Sequence, residues 1–240
     1  MKVISGHQPA YLPWPGYFHK ILLCDTFILM DDVQFIKRDW IHRNRIKGTH
    51  GEVMLTVPVK KMPTNTKINE VEININENWQ DKHWKTIKQF YKNSPYFYEY
   101  EGAFAELYQN VVWTSLSDLC LIQLKLICNL LGIKTNIVMS SDYNFENKKD
   151  RLILEQCKVF KADAVLLGEK GSDYIDENIF LNENIKIYFQ NYIPPKYSQR
   201  YGPFIYGLSV IDILFNVGPD TLETIMSGNI NKRNLIEKAG

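Results

Sequence analysis

The chain has 240 residues, 45% hydrophobic and 23% charged, which is ordinary globular usage; it excludes a disordered chain and allows a sizeable core in one large domain or two small ones. The formal net charge of +1 leaves no overall field of the kind that marks a nucleic-acid or membrane-surface binder. The opening MKVISGH lacks the apolar stretch of a secretory signal, and no run reaches the ~18–20 apolar residues that span a bilayer. A cytoplasmic protein without membrane insertion is therefore expected.

In chain order, residues 2–5 read as a short buried strand. The prolines at 9, 13 and 15 keep residues 8–15 out of a helix. A helix starts near Gly16 and runs through Tyr17, Phe18, Ile21 and Leu22, and 26–30 is a second strand ending at Asp31-Asp32. Strand, loop, helix and strand within ~30 residues is one βαβ unit, so the two strands pair in parallel. A third strand is expected at 53–57, and Val71, Ile73 and Ile75 alternate with polar residues as in a half-buried strand. The middle, 79–132, is helical and reads as a segment or an insertion. Its clearest helix is 116–131, with Ser115 as N-cap and Gly132 as stop. Then come a strand at 135–139, a helix over 151–160 and a strand at 164–167. Alternating strands and helices at both ends make the fold α/β, a parallel sheet built from βαβ units with a helical middle and a small extra β portion, in one domain over 1–240. The four cysteines form no C-x-x-C pair, and those at 120, 128 and 157 lie in apolar helical patterns, as small buried hydrophobes do.

Four stretches carry candidate chemistry. The first is the loop 7–17, HQPAYLPWPGY. Ligands of parallel sheets gather beyond the carboxyl ends of strands, which is where His7 and Gln8 fall, with Tyr11, Trp14 and Tyr17 beside them. The start of the following helix would add free N–H groups that favour phosphate. The competing reading is a rigid aromatic loop that only packs. The second stretch opens on Asp31-Asp32 and continues through Gln34, Arg38, Trp40, Arg43, Asn44 and Arg45. Residues 33–67 hold eight Lys/Arg and two acids, a local net of +6. If 43–47 is extended, Arg43, Arg45 and Lys47 share a face, and the guanidinium fork suits phosphate or carboxylate; a solvated basic edge strand would look the same. The confinement of this charge favours a small anion over nucleic acid. The third pairs 148–151, including Arg151, with Gly168, Ser172 and Tyr174 after the 164–167 strand; it lacks P-loop spacing. The fourth is 192–218, where Asp212 and Asn216 share one face of an apolar helix. There Asp212 is either functional or serves the first turn under a Ser209 cap, and both readings stand. No spacing indicates a metal site or a serine-hydrolase elbow.

The string His7-Gln8-Pro9-x-Tyr11-Leu12-Pro13-Trp14-x-Gly16-Tyr17-Phe18 resembles the signature of the WbqC-like proteins. So do Asp32-Val33-Gln34-Phe35, Trp40-x-x-Arg43-Asn44, Leu55-Thr56-Val57-Pro58-Val59 and the 208–218 run. The resemblance covers nearly the whole chain in the same order. It implies a place among gene clusters for O-antigen and other surface polysaccharides, and by extension acyl or aminoacyl transfer to a nucleotide-linked amino sugar. A looser likeness links the first βαβ unit to the nucleotidylyltransferase-like group, pantothenate synthetase especially. Pro13 and Tyr17 occupy the places of that group's histidine pair, and neither can act as an imidazole, so the resemblance does not carry that group's usual adenylation route over to those positions; His7, earlier in the chain, is the candidate substitute.

On this reading His7 is the general base, Asp32 or Asp212 orients it, and Arg38, Arg43 and Arg45 hold the diphosphate. No permanently bound cofactor is expected. ATP with magnesium on Asp31-Asp32, or an acyl donor, would enter as co-substrate, and a homodimer is an assembly to test. The alternative is a non-catalytic module that binds a sugar nucleotide or docks a biosynthetic complex through its aromatic loops.

Overall fold

The computed structural model describes residues 1–169, 171 and 175–237. The elements follow as β1 (Val3–His7), α1 (Pro15–Leu22), β2 (Thr26–Leu29), β3 (Arg43–Gly48), β4 (Gly51–Thr56), α2 (Trp79–Tyr91), α3 (Phe97–Gln109) and α4 (Leu116–Leu130). After them come β5 (Asn136–Met139), α5 (Asp150–Val159), β6 (Ala164–Leu167), α6 (Glu177–Leu181), β7 (Lys186–Phe189), α7 (Val210–Val217), α8 (Thr221–Met226) and α9 (Lys232–Glu237).

Five strands form a parallel sheet in the order β5-β2-β1-β6-β7. Counting only its own strands, the order is 3-2-1-4-5, the doubly wound arrangement. The chain moves outward from β1 to β2 and β5 on one side, then restarts beside β1 with β6 and β7. The crevice at the carboxyl ends of β1 and β6 is the switch point. Both faces of the sheet are covered, which explains why β2 (TFIL) and β6 (AVLL) are buried at every residue. Val3, Phe27, Leu29 and Leu166 face the large core built with α1, α4 and α7, whereas Ile4, Ile28, Val165 and Leu167 face a smaller one with Cys157 of α5 and Phe180 of α6. The large core continues through Trp84, Phe104 and Leu124 of the helical middle.

β3 and β4 form a separate antiparallel pair. Residues 71–75 do not form a strand. Val71 and Ile73 are buried as their alternation requires, but only single bridges, Val59 with Ile73 and Glu72 with Ser115, tie the segment. β7 was not expected; its four residues are too short a pattern to stand out between polar neighbours. Two caps hold as read: Ser115 Oγ accepts from Asp118 N at 3.2 Å, and Gly132 ends α4 with φ +70°. The four cysteines are buried and unpaired, with their thiols pushed up by burial. Among the described residues no helix is long and apolar enough to cross a membrane.

Candidate functional site

The loop after β1 is held from four sides. Tyr11 N donates to Ile41 O at 3.0 Å, and Leu12 N donates to the buried Gln123 Oε1 at 2.5 Å. Asn44 Nδ2 donates to Leu12 O at 2.5 Å, and Val210 N at the head of α7 donates to Pro13 O at 2.9 Å. These bonds keep Leu12 at φ +46°, a conformation that a branched side chain adopts only when its surroundings impose it. Pro15 opens α1, and Gly16 follows because any Cβ there would lie 2.4 Å from the Trp14 ring. The helix start offers less to a phosphate than expected. Pro15 has no N–H, and Tyr17 N is already bonded to Trp14 O, which leaves only Gly16 among the first three.

The pinned loop forms one wall of a cleft of about 1060 Å³. Its lining includes His7, which is exposed, with Gln8, Trp14 and Tyr17 of the loop and α1 and with Trp40, Asn44 and Arg45 around β3. His7 Nδ1 lies 3.0 Å from Gln8 O; as a carbonyl only accepts, Nδ1 carries the proton and Nε2 is the basic nitrogen. Tyr17 stands edge-on to the imidazole at 4.8 Å, and its hydroxyl donates to the same Gln8 carbonyl at 3.0 Å. Desolvation, then the Lys20 ammonium, pushes the His7 pKa down to about 4, against the opposing pull of Gln8 and Asp39. Water at the open edge of the ring tempers that desolvation, and the ring is neutral at neutral pH.

Lys20 is the residue that sequence reasoning missed. It is 5% exposed, its Nζ donates to Gly6 O at 2.9 Å, and desolvation pulls its pKa down to about 8. It borders two further cavities. One, of about 180 Å³, includes His7, Trp14, Tyr17, Gly168 and Gln190 in its lining. The other, of about 520 Å³, lies against β1, β6 and α5 and also includes Gly168. Nothing stands within 4 Å of where a Gly168 Cβ would be, so its backbone is open to a ligand. The only early signal for Lys20 is its helical spacing from Gly16 and Tyr17, which puts it on the cleft side of α1.

Other expected residues fall elsewhere. Tyr11 is in the core, its hydroxyl 2.8 Å from His83 Nδ1 and 2.5 Å from Tyr108 Oη. Asp212 is fully buried; its carboxylate accepts from Tyr91 and Tyr197, each at 2.7 Å, and burial pushes its pKa up. Asn216 donates back to Asp212 O at 2.7 Å, and Ser209 caps α7 as read. Asp32 lines none of these three cavities. The acid that meets the cleft is Asp39.

Arg45 stands 5.2 Å over Trp40 and pairs with Glu52 at 2.7 Å, while Arg43 stands 5.7 Å from the same ring and donates to Arg38 O. β3 is extended as expected, but Lys47 is buried, with Nζ on Gln199 and Pro203 O. Arg38 is exposed outside the cleft, and Gln34 donates to Thr64 O at 2.7 Å beside a separate notch. Arg151 is exposed on the first turn of α5. Ser172 and Tyr174 lie outside the described residues.

Asp31 is not free to hold a magnesium ion. Asp31 is 1% exposed and both its oxygens are taken by Ser141, from N at 3.0 Å and Oγ at 2.6 Å. Among the described residues no group of three or more His, Cys, Asp or Glu could hold a metal.

A doubly wound α/β protein with a histidine-based cleft at its switch point is the class that this fold and geometry define. The chain belongs to the WbqC-like protein family, whose model matches residues 8–224. It is 35% identical over 222 residues to the uncharacterized protein Rv1507c of Mycobacterium tuberculosis, covering 92% of this chain and 96% of that protein. No solved structure gives a significant match.

Proposed function

We propose that the protein is an enzyme of surface-polysaccharide assembly that binds a nucleotide-linked amino sugar in the switch-point cleft and passes an acyl or aminoacyl group to it. The observation that carries this reading is His7, at the carboxyl end of β1, with Nδ1 committed to Gln8 O and Nε2 left as the base. Trp14 and Trp40, both exposed, supply aromatic surface for a sugar ring. Lys20 beside Gly168 supplies a cation at a carboxyl-end crevice, where phosphates collect. An imidazole near pKa 4 is a weak base in the free protein. A bound phosphate offsets the Lys20 charge and raises it towards the range useful for proton transfer. His7 Nε2 would then take the proton from the sugar amine or hydroxyl as that atom attacks the acyl carbon, and as the bond from that carbon to the donor's leaving group breaks, the leaving group departs with the electron pair and receives the proton back. The acyl donor, or ATP with magnesium to activate it, enters as co-substrate.

Thermal unfolding with a panel of nucleotide sugars, ATP with magnesium, acyl-CoA and free amino acids tests this. A ligand at ~100 times its dissociation constant adds ~2.7 kcal/mol of stability, about 5–11 °C for a chain of this size. His7→Ala should keep that shift and lose turnover. A flat panel with a well-folded protein would move the assignment to the alternative, a docking module that uses the exposed Trp14 and Trp40.

A further inference from the structure

The cavity of about 520 Å³ is built differently from the His7 cleft. Ile4 and Gly6 of β1, Val165 and Leu167 of β6 and Ile153 of α5 give it apolar walls. Ser5, Lys20, Lys149 and Asp150 also line it, and one further polar residue is buried among the apolar walls: Gln156, on α5, is 3% exposed and lines the cavity, and its Nε2 is buried without a hydrogen-bond partner. Buried amides are nearly always paired, so an unpaired one in an apolar wall calls for an explanation. Lys20 lies between this cavity and the chamber that contains His7.

We propose that this cavity is a nucleoside subsite: the base lies flat between the β1–β6 surface and α5, its polar edge is read by the Gln156 amide, and the attached phosphates reach Lys20. The proposal rests on the reading of a nucleotide-linked substrate and deepens it by assigning the nucleoside end. A planar heterocycle fits because it needs apolar contact on its faces and hydrogen bonds only at its rim. A carboxamide presents a donor and an acceptor side by side, the pattern that pairs with the edge of a base. Rotation about the terminal side-chain torsion is soft, so the unpaired Nε2 can turn to meet the ligand. An acyl chain would satisfy the walls but would leave the amide unpaired. A bare sugar would satisfy the amide but not the walls. With the nucleoside here and the phosphates at Lys20, the ligand continues past Gly168 towards His7, so the sugar enters the cleft beside His7.

The test is calorimetric titration of the full chain with adenosine, guanosine, uridine, cytidine and thymidine 5′-diphosphates, against pyrophosphate and ribose 5-phosphate. At least one nucleoside diphosphate should bind ten times more tightly than either base-free probe. Gln156→Leu, close in shape and without the amide, should remove at least tenfold of that preference. Ile153→Phe, which fills the slot from a half-buried position on α5, should remove it altogether, with pyrophosphate affinity unchanged in both variants. Unchanged pyrophosphate binding also shows that the variants are folded. Equal affinity for all probes, no binding by any of them, or a base preference that survives both variants would overturn the proposal. So would octanoate binding that Ile153→Phe expels while nucleotide binding is untouched. His7→Ala separates this from the catalytic reading, because it leaves the base preference intact whether or not a transfer reaction is found.

Discussion

Replacing Asp212 by alanine removes the acceptor at the centre of a buried network. Tyr91 and Tyr197 each donate to its carboxylate at 2.7 Å. Tyr91 in turn accepts from Lys47 N at 2.9 Å, and the Lys47 ammonium attracts the same carboxylate. The network joins α7 to α2, β3 and the segment before α7. Leaving two buried hydroxyls unpaired costs ~1–3 kcal/mol each, about 2–6 kcal/mol in all. A chain of this length loses ~2–4 °C of Tm per kcal/mol, so Asp212→Ala should melt about 4–24 °C lower, read by scanning calorimetry. Asp212→Asn keeps one acceptor and should lose less than half of that. A variant that melts within 2 °C of the parent yet no longer turns over substrate would refute the structural assignment of Asp212 and return it to the catalytic site.

Three further outcomes follow from named contacts. His83 is buried against Tyr11 and held down to about 4 by desolvation. Its folded pKa lies below the unfolded value of ~6.5, so its contribution is intact above ~6.5 and is lost as pH falls towards 4; at ~1.4 kcal/mol per unit this approaches about 3 kcal/mol. Urea unfolding at pH 7 and pH 4.5 should show that His83→Gln loses less stability over this interval than the parent does. Gln123→Ala strips the Leu12 amide of its acceptor and opens a small cavity, which should cost about 2–4 kcal/mol in urea unfolding and weaken ligand binding by loosening the loop. Lys20→Met removes the cation shared by the two inner cavities and should cut pyrophosphate affinity at least tenfold, leaving a weaker dependence on salt in the same titration.

Much of the architecture was legible because parallel strands buried on both faces read as unbroken apolar runs, as β2 and β6 do. Helix ends were legible where a cap uses a local side chain, as at Ser115 and Ser209. Alternation at 71–75 was real, but it reports which side faces the core and not whether a neighbouring strand is present to pair; here only single bridges are. The rule that ligands sit beyond strand ends directed attention to His7, and the aromatic residues near it in the chain came with it. Tyr11 did not, because a buried tyrosine and a ligand-contacting one leave the same local pattern. Lys20 reaches the inner cavities by the length of its stem, with only its helical spacing from Gly16 and Tyr17 to announce it, and Gly207 borders the cleft from 200 residues downstream of His7. The carboxylate of Asp39 was passed over for the more conspicuous pair at 31 and 32, of which Asp31 is occupied in holding Ser141.

The central claim is that an anionic sugar nucleotide binds beside His7 and converts a depressed imidazole into a working base. NMR titration of the histidine-labelled protein, with and without a saturating nucleotide sugar, follows that ring directly. The account predicts a His7 pKa below the ordinary ~6.5 in the free protein that rises in the complex, as phosphate offsets the Lys20 charge, the second of the two effects that depress it. A His7 pKa unmoved by a ligand that demonstrably binds would contradict it and place the ligand elsewhere on the molecule.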